Sequence, residues 1–89
     1  MTLFVRIHYF YRMKVTIEYM GFFKIENVPS RTVLETKQNT TVGELLDTLQ
    51  VKKEHRNHMV PLINRKRRTF DTPLADGDKL FLYFPVGGG

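Results

Sequence analysis

From Leu3 to Met20 the chain alternates in period two. Val5, Ile7, Tyr9, Tyr11, Met13, Val15, Ile17 and Tyr19 share one parity, the pattern of a strand with one buried face. Such a run is about three times the length of an ordinary strand, so it holds more than one thing. Met13, Lys14 and Val15 read like a natural beginning, which places the first strand at residues 14–20 and leaves residues 1–12 as an N-terminal extension. Gly21 breaks the strand, and residues 22–30 form an irregular connection containing Pro29. Residues 31–37 alternate again through Val33 and Glu35, with Thr32 and Thr36 adding β-branched bulk, which predicts a hairpin with a long loop.

The period then changes. Thr41, Val42, Gly43 and Glu44 form a capping box, in which the Thr hydroxyl and the Glu carboxylate each accept a free backbone N–H at a helix start. Val42, Leu45, Leu46 and Leu49 follow at helical spacing, one apolar stripe on a helix of about nine residues. Residues 51–58 are polar, either a frayed helical turn or a loop. Residues 59–63 read as a strand, Asn64 begins a turn, and Thr69 and Phe70 begin a short strand. Asp71, Thr72, Pro73 and Leu74 suggest a single helical turn, and Ala75, Asp76, Gly77 and Asp78 a tight one. The last strand, residues 79–86, puts Leu80, Leu82, Phe84 and Val86 on one face and Phe81 and Tyr83 on the other. One helix among four or five strands predicts an α+β fold, a single mixed sheet with the helix packed across one face. The two densest apolar runs, 14–20 and 79–86, are expected to pair in parallel at its centre.

Composition narrows the chemistry. Eighty-nine residues make one compact domain and leave no room for a cleft between two lobes. There is no cysteine, which removes disulfide scaffolds, thiolate metal sites and thiol nucleophiles. Fourteen basic against nine acidic residues favour acidic partners, although a solvated surface is the simpler account. Arg6, His8 and Arg12 interrupt the apolar N-terminus, so a signal peptide is not expected, no run is long enough for a membrane span, and a cytoplasmic protein is. Neither a Ser-His-Asp set nor a glycine-rich phosphate loop is present, so the chain does not read as an enzyme. His55 and His58 lack a third metal ligand, and Asn39, Thr40 and Thr41 match a glycosylation sequon but read more simply as the approach to the helix cap. Arg65, Lys66, Arg67 and Arg68 form a charge run on a predicted turn, either a solvated hairpin tip or a docking patch for an acidic groove or RNA phosphates. No aromatic residue interleaves with it, so no base-stacking platform is supported and nucleic acid is not the expected partner.

The C-terminus carries the main chemical signal. Pro85 and Val86 leave a strongly apolar strand and run into Gly87, Gly88 and Gly89. Residues without Cβ let a tail pass through a tunnel too narrow for any other, and five residues reach at most ~17 Å. A free α-carboxylate is an anion at neutral pH and a poor electrophile. To react it must be activated, most simply by ATP as an acyl-adenylate, after which sulfide or an amine displaces AMP.

Asn64, then the stretch Phe70, Asp71, Thr72, Pro73, Leu74, Ala75, Asp76, Gly77, Asp78, an apolar strand, and Pro85 and Val86 before the glycines together resemble the small subunit of molybdopterin synthase (MoaD-like) and the related thiamine sulfur carrier. The helix start at Thr41 and the strand from Lys14 fit the same pattern, so the resemblance covers most of residues 13–89. It implies a β-grasp, ubiquitin-like domain over residues 13–86 with a flexible tail at 87–89. It also implies that Gly89 is adenylated by an E1-like enzyme consuming ATP, with no cofactor held permanently, and converted to a thiocarboxylate. Gly87 and Gly88, with Val86 and Pro85, would thread into the partner. Phe81, Tyr83, Arg65, Arg67 and Arg68 would form the partner interface, Tyr83 falling where the family carries an aromatic that contacts the activating enzyme. The implied partners are that enzyme, a molybdopterin synthase large subunit or thiazole synthase, and a sulfur donor such as a cysteine desulfurase or rhodanese. The chain departs from the molybdopterin branch at Phe84, where a proline is common, at Gly87, at Glu18, and at Arg67, where an apolar contact is frequent. The loop at 22–30 also lacks the family's usual short helix. Two alternatives stay open: a modifier joined to lysines through Gly89, and a basic RNA- or protein-binding module with an inert tail.

Overall fold

The computed structural model describes residues 12–20 and 23–85. Residues 1–11 of the expected extension, Gly21 and Phe22, and the tail residues Val86, Gly87, Gly88 and Gly89 lie outside the described residues, while Arg12, expected in the extension, opens the first strand in place of Lys14. In chain order the elements are β1 (Arg12–Tyr19), β2 (Thr32–Lys37), α1 (Val42–Thr48), α2 (Lys53–Arg56), β3 (Val60–Ile63), β4 (Lys66–Arg67) and β5 (Lys79–Tyr83). They build one five-stranded sheet in the order β2-β1-β5-β3-β4. β1 and β5 are parallel neighbours at its centre, with Ile17 opposite Leu80 and Tyr19 opposite Leu82, as the two apolar runs predict. The remaining pairings are antiparallel. With a helix over one face, this mixed sheet is the ubiquitin-like β-grasp arrangement. No helix of the described residues is long and apolar enough to cross a membrane.

The odd positions of β1 (Met13, Val15, Ile17) and the even positions of β5 (Leu80, Leu82) are buried beneath Val42, Leu45 and Leu46 of α1. Leu49, the last member of the predicted stripe, is only half-buried, because α1 ends at Thr48 after seven residues rather than about nine. Its start is the predicted capping box: Thr41 Oγ1 accepts the Glu44 N–H at 3.1 Å and Glu44 Oε1 accepts the Thr41 N–H at 2.9 Å. On β2 the half-buried residues are Thr32, Leu34 and Thr36, while Val33 is 60% exposed.

Three local expectations are corrected. The short strand lies at Lys66–Arg67, not at Thr69 and Phe70, because the charge run itself folds back on β3. Arg68 makes the last hydrogen bond to β3, to the Pro61 carbonyl at 2.9 Å, and the Thr69 N–H turns instead to Thr72 Oγ1. Residues 71–74 form no helical turn. Phe70 and Thr72 present their carbonyls to the free N–H groups of Gly43 and Val42 at 2.8 and 3.0 Å, and Pro73 bridges Thr41. A helical turn would have spent those carbonyls internally and left the start of α1 unsatisfied. The last strand leaves the ladder after Tyr83 rather than Val86, since neither β1 nor β3 offers a partner beyond that point.

The predicted tight turn is present, with Gly77 at φ 86°, where any Cβ would be strained. It is tied to β1 from both ends: Lys14 N–H donates to Asp76 Oδ1 at 2.7 Å and Gly77 N–H to the Lys14 carbonyl at 2.8 Å. Asn64 clamps the start of β5. Its side chain donates to Asp78 Oδ1 at 2.9 Å and accepts the Lys79 N–H at 3.0 Å, while its own backbone N–H reaches the Lys79 carbonyl.

Two consequences are measurable by chemical denaturation. Leu46→Ala, at a fully buried site, should lower stability by about 2–5 kcal/mol. Asn64→Ala, which breaks two side-chain bonds at an exposed site, should lower it by about 1–2 kcal/mol and leave the denaturant slope unchanged.

Candidate functional site

The C-terminal strand is held from both sides, by β1 in parallel and by β3 in antiparallel register. Phe84 follows the last ladder residue and still turns its ring into the core, where it is 8% exposed. The ring packs on Phe23 with centroids 4.9 Å apart and planes tilted by 40°. Phe23 in turn meets Tyr19 edge-on at 5.5 Å and His55 edge-on at 5.9 Å. The Phe84 N–H points to the Met20 sulfur at 3.4 Å. Tyr19 is fixed by its hydroxyl, which donates to the Val28 carbonyl. The residue immediately after this cluster, Pro85, is exposed and is the last of the described residues.

Sequence reasoning had no signal for this cluster, because its members come from β1, the loop that follows it, α2 and the end of β5. It accounts for two departures from the family pattern together. Phe84 stands where the molybdopterin branch commonly has proline, and its ring finds a partner in Phe23 of the irregular 22–30 connection. His55 is absorbed here as a packing residue. Among the described residues no three His, Cys, Asp or Glu side chains gather as a metal set.

The opposite, solvent-facing side of the sheet holds the proposed interface residues. Phe81 is half-buried and Tyr83 is 41% exposed, with rings 6.3 Å apart. Cross-strand register sets Arg67 opposite Leu62, Leu62 opposite Phe81, and Phe81 opposite Glu18, while Tyr83 pairs with Val60. Paired residues share a face, so Arg67 belongs to the row of Phe81. Arg68 does not: it lies opposite Pro61, on the helix side, as does Lys66 opposite Ile63. Arg65 lines an open hollow of about 660 Å³ with Leu62, Phe81, Lys79, Asn64 and Glu18. Glu18 is balanced by Arg31 at 3.7 Å. The structure therefore brings Phe81, Tyr83, Arg65 and Arg67 to one surface and turns Arg68 away from it. Lys79, Leu62 and Val60 are members that the sequence reading missed. Period-two alternation along β3 would have marked Val60 and Leu62.

Among curated proteins none matches the chain. Solved structures do. The Haloferax volcanii HVO 2177 protein superposes with a TM-score of 0.68 at 20% identity, covering 89% of each chain. The small archaeal modifier protein 1 of H. volcanii gives 0.64 at 22% identity, over 83% of this chain and 99% of that one. Both likenesses concern the fold. A chain in the complex of subunits 1 and 2 of molybdopterin-converting factor from Helicobacter pylori is 31% identical, over 86% of this chain and 100% of that one, with a TM-score of 0.55. Residues 18–89, from within β1 to the C-terminus, match the ThiS family model, and the chain belongs to that family of small, ubiquitin-like carrier proteins.

Proposed function

We propose that the chain is a sulfur carrier whose C-terminal carboxylate, on Gly89, is adenylated and converted to a thiocarboxylate. The observation that carries this reading is the abrupt boundary at the end of β5. Among the described residues Phe84 is the last buried one, Pro85 is exposed, and the four residues beyond it in the sequence are Val86 and three glycines. A rigid body with a reactive end of minimal cross-section suits insertion into another protein's active centre.

In the proposed sequence, a carboxylate oxygen of Gly89 attacks the α-phosphorus of ATP and pyrophosphate leaves. Sulfide, released from the persulfide of a sulfur donor such as a cysteine desulfurase or rhodanese by a thiol reductant that is oxidised to the disulfide, then attacks the acyl carbon. The carbon–oxygen bond to phosphate breaks, AMP departs, and sulfur remains in place of one carboxyl oxygen. The catalytic groups for both steps belong to an E1-like adenylating enzyme, and the chain itself is carrier, not catalyst. It contains no cysteine, so no thiol of its own can intercept the activated carbonyl. Phe81 and Tyr83 lie on the strand that leads to the tail and would guide its approach.

The 31% identity with the H. pylori chain favours molybdopterin synthesis as the destination, with a synthase large subunit as the acceptor of the carrier, over a thiazole synthase. A cytoplasmic location follows from the ATP-dependent step.

Intact-mass spectrometry tests the proposal. Incubation with the adenylating enzyme, ATP and a sulfide source should raise the carrier's mass by the difference between sulfur and oxygen, and deletion of Gly89 should abolish the change. An unaltered mass with an enzyme that turns over ATP on this chain would overturn it. Lysine-linked adducts that need Gly89, without any thiocarboxylate, would assign the same tail to protein modification instead.

A further inference from the structure

Among the described residues β2 is an outermost strand of the sheet, with β1 as its one neighbour. The direction of its backbone groups follows from β1. Lys14 donates to Asp76 and accepts the Gly77 N–H, and Thr16 donates to the Asp78 carbonyl, so the even residues of β1 bond toward the start of β5. Met13, Val15 and Ile17 therefore bond toward β2, where they stand opposite Thr36, Leu34 and Thr32. This spends the backbone of those three residues and turns the N–H and C=O groups of Val33 and Glu35 outward, off the edge. Beyond them the edge is closed: the Thr40 N–H takes the Lys37 carbonyl, and the Arg31 N–H is spent on Ile17. Val33, in the middle of the open stretch, is also the most exposed large apolar side chain among the described residues.

A bare edge of this kind is usually blunted by charges, prolines or bulges that repel any incoming strand. Here the charges beside Val33 are of opposite sign. Arg31 stands two residues before it and Glu35 two residues after, and all three side chains are exposed. Val33 lies opposite Thr16, and Arg31 reaches Glu18, so both belong to the solvent-facing side of β1. The order positive, apolar, negative is its own complement when reversed. A second copy related by a two-fold axis presents that reversed order, because its β2 runs antiparallel to the first.

We propose that β2 is the interface of a homodimer, pairing antiparallel with β2 of a second copy about a two-fold axis at Val33 and joining the two sheets edge to edge. The two Val33 residues exchange N–H···O=C bonds and their side chains meet, while each Arg31 faces the partner's Glu35. On the helix side the half-buried Leu34 meets the partner's Thr32. Neighbouring registers lose the match. An axis at Leu34 sets Arg31 against the partner's Lys37, and an axis at Glu35 sets that carboxylate against itself. An axis at Thr36 opposes Glu35 to the partner's Lys37 but carries Val33 past the end of the partner strand, to Asn39, where φ is 67°. A strand of an unrelated protein could use the same backbone groups, yet it supplies no reason for the charge order to complement its own reverse. Because β1 separates β2 from β5, the pairing does not occupy the strand that leads to the tail, and the proposal stands apart from the carrier reading.

Sedimentation equilibrium of the full chain at low salt, from about 10 µM to about 1 mM, should show the mass rising from one chain toward two and no further. Arg31→Glu and Glu35→Arg should each weaken the dimer about tenfold or more, since each sets like charges opposite one another at both ends of the pairing. Mixed in equal amounts, the two variants should dimerise again, because each then presents the charge that the other lacks. Both sites are exposed, and unchanged circular dichroism and melting temperature would show that the variants fold. Lys37→Glu should leave the dimer no weaker. A wild type that stays monomeric at about 1 mM overturns the proposal, as does a dimer that survives both single variants or a mixture of them that stays monomeric. Loss of the dimer in Lys37→Glu but not in Arg31→Glu would overturn the axis at Val33. A dimer lost on deletion of residues 1–11, yet indifferent to both charge reversals, would overturn the β2 interface in favour of the N-terminal segment.

Discussion

The parallel ladder between β1 and β5 is the constraint on which everything else depends. Parallel strands are stable where their faces are covered, and here the fully buried Val15, Ile17, Leu80 and Leu82 lie under α1. A parallel neighbour cannot be reached by a short turn, so the whole chain between β1 and β5 must serve as the connection. The turn at Asp76 and Gly77 closes that connection by bonding back to Lys14. β5 is bonded to a neighbour on each side and carries the fully buried Leu80 and Leu82, so Pro85 follows a strand that is held from both edges.

Those features were legible in the sequence because each has a strong local cause. The alternation on β1, the capping box at Thr41 and Glu44, the leucine stripe of α1 and the glycine turn at Gly77 are all encoded within a few residues. What was misread depended on partners distant in the chain. Residues 70–74 are extended because α1 needs carbonyl acceptors for Val42 and Gly43, and nothing local to Pro73 announces that. The charge run became half strand because Asn64 and Arg65 adopt a primed turn, although the Asn-Gly pair that signals one is absent. The aromatic cluster of Tyr19, Phe23, His55 and Phe84 joins four segments, and only the assembled fold brings them together.

Alternation also sorts the candidate site in a way a linear charge run conceals. Four consecutive basic residues look like one patch in the sequence. Folded as a turn and a two-residue strand, they divide between the faces of the sheet: Arg67 joins Phe81, while Lys66 and Arg68 face the helix side. The hairpin is thereby a directional feature rather than a diffuse positive field. Its direction coincides with the solvent-facing side that holds the half-buried Leu62 and Phe81 and the exposed Tyr83 instead of competing with it.

The proposed function puts recognition and reaction at different places, and β5 would separate them. Three terminal glycines offer backbone alone, so a partner that read only the tail could not tell this chain from any other ending in glycine. Specificity has to come from the body, where side chains differ. The start of β5 lies beside the basic turn, through Asn64 and Lys79, and its end leads through the Phe84 anchor to the tail. In the proposed function, one strand therefore couples a surface that would carry identity to an end that would carry chemistry. Because that strand is locked between β1 and β3, Pro85 stands at a fixed offset from the hairpin.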